Sequence, residues 1–176
     1  MRYKGKRVGV LMGGISKERE ISLLTGEAIY KALLNLGYNV IKLDLKEDIV
    51  RSILEANIDV AFIALHGRFG EDGTVQSLLE LLRIPYTGSS PLASAMSMNK
   101  IITKKILLYH KIPTPEFVSV DNTISIDQII PQIPFSFPFV VKPSSEGSTI
   151  GVSRSIQKRN LKKQLEKLLA MMIRSL

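Results

Sequence analysis

Short apolar runs alternate with amphipathic stretches through the first ninety or so residues, and this rhythm restricts the fold more than any other feature of the chain. Val8–Met12 is an apolar run that ends at Gly13-Gly14, as a buried strand does before a sharp turn. Behind the turn, Ile21, Leu24, Ala28, Ile29, Ala32 and Leu33 recur at helical spacing, with Ser16 placed to cap the helix and Gly37 to stop it. Tyr38–Leu43 reads as a second strand, Glu47–Ala56 as a short helix and Val60–Leu65 as a third strand apolar enough to be covered on both faces. A helix over Thr74–Leu82 and a strand near Ile84–Thr87 continue the pattern. Strands separated by helices at this spacing predict a parallel sheet wound on both faces by right-handed crossovers.

The rhythm changes near residues 88–98, where a domain boundary is expected. Pro91–Met98 and Asn99–His110 read as two helical pieces. A proline-punctuated stretch follows, with strand candidates at Glu116–Val120 and Phe137–Lys142 and a Gly/Ser loop at Pro143–Gly151. The expected division is 1–95, 96–153 and a basic tail over 154–176.

Composition narrows the chemistry. The 176 residues contain no cysteine, which excludes a disulfide scaffold, a zinc ribbon and thiol catalysis, and two histidines leave no multi-histidine metal site. No apolar run has the length of a membrane span, and the basic N-terminus runs directly into a strand without a cleavage site, so a cytoplasmic protein without a signal peptide is expected. The net charge of +8 suggests nucleic acid until it is located. Residues 154–176 hold seven Lys/Arg against Glu166 alone, so the body is nearly neutral. Neither a nucleic-acid nor a membrane partner is expected, and the alternative is a binding module whose basic helix meets acidic surfaces.

Ligands of a doubly wound sheet collect at the carboxyl ends of its strands. Two polar segments fall there, Gly13–Glu18 and His66–Gly73. Glu18 is either a carboxylate placed to bind an ammonium or a partner of the helix dipole, and spacing alone favours the dipole. His66 either faces a ligand or caps its own loop. The chain has neither a dinucleotide fingerprint nor a P-loop. Lys142, delivered at a strand end beside Ser144–Gly151, reads as a phosphate cradle or as a surface lysine on an ordinary hairpin.

Taken together, GGISKEREISLLTG, ALHGRFGEDGTVQSLLELLRIPYTGSSPLASAMSMNK and FPFVVKPSSEGSTIGVS resemble the D-alanine–D-alanine ligases of the ATP-grasp superfamily, over nearly all of residues 7–153. The resemblance implies an α/β fold: an N-terminal doubly wound parallel sheet followed by an incomplete ATP-grasp central subdomain. It implies ATP-dependent joining of two D-alanines through a D-alanyl phosphate, in peptidoglycan precursor synthesis. A related ligase with a different second substrate carries the same motifs. By motif, Glu18 corresponds to the catalytic carboxylate that holds the ammonium of the first D-alanine, Ser148 to its catalytic partner in the hydrogen-bonded group near the reacting centre, and His66 to a substrate-site residue. Lys100 and Lys142 correspond to the lysines on the ATP phosphates, and Glu146, Gly147, Ser148 and Thr149 to the loop that closes over them. ATP and Mg2+ are the expected cofactors, with no metal ligand in this chain, and a homodimer is the expected assembly. Past Ser153 the text departs from the family. Read one frame over, the tail codons accommodate the family's own continuation, so a frameshift or truncation is expected there, with no turnover from these residues alone.

Overall fold

The computed structural model describes residues 3–120, 126–134, 136–147 and 149–173. They form two compact units, 1–98 and 99–176. In the first, β1 (Arg7–Gly13) is buried from Val8 onward, as a strand covered on both faces must be. It pairs in parallel with β2 (Asn39–Leu45) on one side and with β3 (Val60–Ile63) on the other. The strand order is β2-β1-β3.

Side chains alternate along β1 and supply two cores. Leu11 packs with Leu45, with Ile53 of α2 (Ile49–Ala56), and with Val75 and Leu79 of α3 (Thr74–Leu81). Val8, Val10 and Met12 point the other way, against Leu23, Ile29 and Leu33 of α1 (Arg19–Asn35). The helices therefore cover both faces, the doubly wound arrangement expected from the alternation. The strand expected at Ile84–Thr87 reduces to one parallel bridge, Ala61 to Tyr86. α4 (Pro91–Met98) closes the unit.

α3 and α4 start where the sequence reading places them, whereas α2 and the helix expected from Asn99 start one or two residues later. Asp48 caps α2, accepting the Arg51 N–H at 3.3 Å. Ser16 does not cap α1: Glu18 holds that position, and Ser16 Oγ accepts the Glu18 N–H in a turn just ahead of the helix.

In the second unit, α5 (Lys100–Tyr109) starts at Asn99, whose Oδ1 accepts the N–H groups of Ile101 and Ile102. After the short α6 (Ile126–Ile129) and a 3-10 turn at Ile130–Gln132, β4 (Phe139–Val141) pairs antiparallel with β5 (Ser153–Ser155). α7 (Lys158–Ile173) buries Leu161 and Leu165. The strand expected at Glu116–Val120 is irregular backbone. A strand exists only where a partner edge is offered, and local alternation does not reveal the partner. Near that segment Lys104 of α5 donates to Thr114 Oγ1 and to the Pro115 carbonyl, and lies 5.1 Å from the Phe117 ring. Among the described residues no helix is long and apolar enough to cross a membrane.

Candidate functional site

β1 lies between β2 and β3, so the chain leaves the carboxyl ends of β1 and β3 in opposite directions. That switch point opens a crevice in which ligands of such sheets collect. The first turn of α1 forms one wall and is fastened to all three strands. Fully buried Ser22 accepts the Gly13 N–H at 2.9 Å and donates to Ala64 O at 2.8 Å, joining the ends of β1 and β3. Arg19 donates to the Gly14 and Leu45 carbonyls, both at 3.1 Å, and pairs with Asp44 at 2.8 Å, reaching β2. Gly13 and Gly14 turn with φ of 81° and 80°, backbone that only glycine adopts without strain.

Glu18 therefore starts a firmly held helix, and it makes no side-chain capping bond. Its carboxylate lies over Gly67, where an added Cβ would come within 2.8 Å of Oε2. His66 is half-buried next to it. Its Nε2 is 3.1 Å from Thr25 Oγ1, and Thr25 uses its single proton on Ile21 O at 2.9 Å. With that proton so placed, Thr25 Oγ1 is left to accept from an imidazole protonated at Nε2. Its Nδ1 stands 3.7 Å from Glu71 Oε1, while Glu71 Oε2 accepts the Gly67 N–H at 2.8 Å. Asp72 accepts the Phe69 and Thr74 N–H groups, and buried Gln76 donates to Gly70 O at 2.7 Å. The loop is thus held by its own side chains. A hollow of about 430 Å³ behind it is lined by Thr25, His66, Glu71, Gln76 and Ser94.

The second unit gathers positive charge. Lys100 opens α5, where the helix dipole already disfavours a cation. Its Nζ donates to Glu146 O at 2.5 Å and its N–H to Ser144 O at 2.8 Å, tying the helix to the Gly/Ser loop. Burial first, and then the charge of Lys142, hold the Lys100 ammonium below the ordinary lysine range, with Glu146 acting in the opposite sense. Lys100 and Lys142 line one cavity of about 750 Å³, with Lys104, Phe117, Phe139 and Leu161 on its other walls. Repelling ammoniums beside an apolar wall are a donor set that a polyphosphate on an aromatic base satisfies. Gly147 is half-buried and Thr149 exposed, whereas Ser148 lies outside the described residues. No group of three or more His, Cys, Asp or Glu that could hold a metal occurs among the described residues.

Residues 48–89 match the family model described as the D-ala D-ala ligase N-terminus, and residues 97–175 match the RimK-like ATP-grasp domain. The D-alanine–D-alanine ligase of Carboxydothermus hydrogenoformans is 48% identical over 167 residues, 93% of this chain and 54% of its own length. That of Syntrophotalea carbinolica is 53% identical over 148 residues, 84% of this chain and 47% of its own length. The solved D-alanine–D-alanine ligase of Bacillus anthracis superposes with a TM-score of 0.82 at 39% identity, covering 94% of this chain and 54% of the other. The chain is similar to D-alanine–D-alanine ligases over most of its length. It spans about half the length of the curated relatives it matches. The structure of the Bacillus anthracis enzyme complexed with ATP superposes with a TM-score of 0.78 at 38% identity, covering 94% of this chain and 55% of the other. The fold described above thus matches the N-terminal region of these ligases and part of their ATP-grasp region.

Within this ligase-like fold, Glu18 and His66 come together in the first unit, and Lys100, Lys142 and Glu146 in the second. Ser16, Arg19, Ser22 and Gln76, which hold the first site together, were not singled out as site residues from sequence. The available signal was a polar residue within the apolar period of α1, and Ser22 is one.

Proposed function

We propose that this chain provides the first-substrate site and the phosphate site of an ATP-dependent D-alanine–D-alanine ligase acting in cytoplasmic peptidoglycan precursor synthesis. The observation that carries this reading is the Glu18 carboxylate lying against Gly67 beside His66, at the switch point of a ligase-like sheet. A carboxylate fixed at a helix start receives an amino acid's ammonium, and the His66 side chain bounds the same crevice. Ser148 is assigned as the hydroxyl partner of that group. Lys100 and Lys142 take the ATP phosphates, and the Glu146–Thr149 loop closes over them. When bound there, ATP would supply its γ-phosphoryl group to the D-alanine carboxylate with ADP leaving, and a second amine would displace phosphate from the resulting D-alanyl phosphate. The outward stripe of α1, exposed Ile21 and Leu24 with Ala28, is proposed to pair two copies.

Calorimetry on the 176-residue chain tests this. D-alanine and ATP are each expected to bind, L-alanine is not, and sustained phosphate release is not expected. Glu18→Gln is expected to abolish D-alanine binding and spare ATP, while Lys100→Met weakens ATP by about ten-fold or more and spares D-alanine. Equal affinity for L- and D-alanine, or ATP affinity indifferent to Lys100, overturns the reading.

A further inference from the structure

We infer that Ser16 is the positioning residue that holds Glu18 and His66 in register across the crevice between β1 and β3. The inference rests on the reading of those two residues as the first-substrate pair. One hydroxyl serves both of them. Ser16 Oγ spends its proton on the His66 carbonyl at 2.7 Å and accepts the Glu18 N–H at 3.1 Å on a lone pair. Both partners are backbone atoms of the substrate pair, so neither loop can shift without stretching a bond to the same oxygen. The Glu18 N–H needs such an acceptor, because the opening N–H groups of a helix have none within the helix.

The same contact determines where the carboxylate goes. By holding the His66 carbonyl, Ser16 places Gly67 under Glu18, and an added Gly67 Cβ would meet Ser16 Oγ at 3.3 Å as well as Glu18 Oε2 at 2.8 Å. Gly67 has a φ of 67° and anchors its own N–H on Glu71, which faces His66 Nδ1. Ser16, Glu18, His66, Gly67 and Glu71 thus form one connected set at the mouth of the crevice. Ser16 is half-buried and belongs to neither hydrophobic core, so its role differs from that of Ser22, which joins the strands themselves.

The test compares Ser16→Ala and Ser16→Thr with the wild-type chain, using amide hydrogen exchange and D-alanine titration. Ser16→Ala is expected to speed exchange at the Glu18 amide by about ten-fold while the β1 amides of Val10 and Leu11 keep wild-type rates. It is expected to raise the D-alanine Kd by about ten-fold, and Ser16→Thr restores both values. Unchanged Glu18 exchange in Ser16→Ala overturns the inference, as does acceleration spread evenly through β1, which marks a merely structural residue. Unchanged D-alanine affinity in that variant also overturns it. A wild-type chain that binds no D-alanine, yet shows the exchange pattern and its rescue, removes the substrate reading and leaves the coupling of the two loops established.

Discussion

Ser22 has no accessible surface, and its hydroxyl joins residues that sequence places far apart, Gly13 and Ala64. Removing it leaves a buried N–H and a buried carbonyl without partners. Ser22→Ala is therefore expected to lower stability by about 1–3 kcal/mol, read from urea denaturation with an unchanged slope. Asp59 acts at the opposite end of the same strands. It accepts the Arg7 N–H at 2.8 Å and pairs with Lys6 at 3.3 Å, and these two contacts, the backbone bond first, hold its carboxyl below the ordinary aspartate range. A carboxyl whose folded pKa is depressed adds stability above its unfolded pKa of about 4 and loses it as pH falls through the folded value. Melting temperatures measured below about pH 4 should accordingly fall less steeply in Asp59→Asn than in the wild-type chain. The partners of neither side chain are visible locally, because Ala64 lies 42 residues from Ser22 and Arg7 lies 52 residues from Asp59.

At the scale of the element, α1 shows tertiary packing overriding propensity. Gly26 sits inside the helix, where alanine is favoured by about 1 kcal/mol. Yet an added Cβ there would approach Met12 Cβ to 2.5 Å, and a Cβ cannot swing aside as the end of a flexible side chain can. Overpacking of this kind costs about 1–3 kcal/mol, so Gly26→Ala is expected to destabilise the chain by a net amount of about 1 kcal/mol. A thermal melt in which the variant is more stable than wild type would show that α1 can move off β1. Helix starts followed local chemistry where a side chain does the capping, as Asn99 does for α5. They departed from it at Ser16, whose hydroxyl is drawn to a carbonyl 50 residues away.

The two units of the molecule differ in how much they bury. Among the described residues, Val10, Leu11, Leu45, Ala61 and Leu79 of the first unit are fully buried hydrophobics, whereas Leu161 and Leu165 are the buried hydrophobics of the second. The second unit's sheet has two strands, and Val140 in it is 51% exposed. Two-stranded sheets are marginal in water. Amides of β4 and β5 are expected to exchange at least about ten-fold faster than those of β1, and equal protection would show that the second unit is as well consolidated as the first. The sequence by itself determined the α/β alternation, the glycine turns and the motif text at Glu18, His66, Lys100 and Lys142, because each depends on residues close along the chain. Only the tertiary structure decided that 116–120 stays irregular, that Tyr86 makes a bridge in place of a strand, and that Ser22 and Ser16 fasten the crevice. Strand partners and buried hydroxyl bonds join distant residues, here 42 apart from Ser22 to Ala64, and no local pattern encodes which distant carbonyl a side chain will meet.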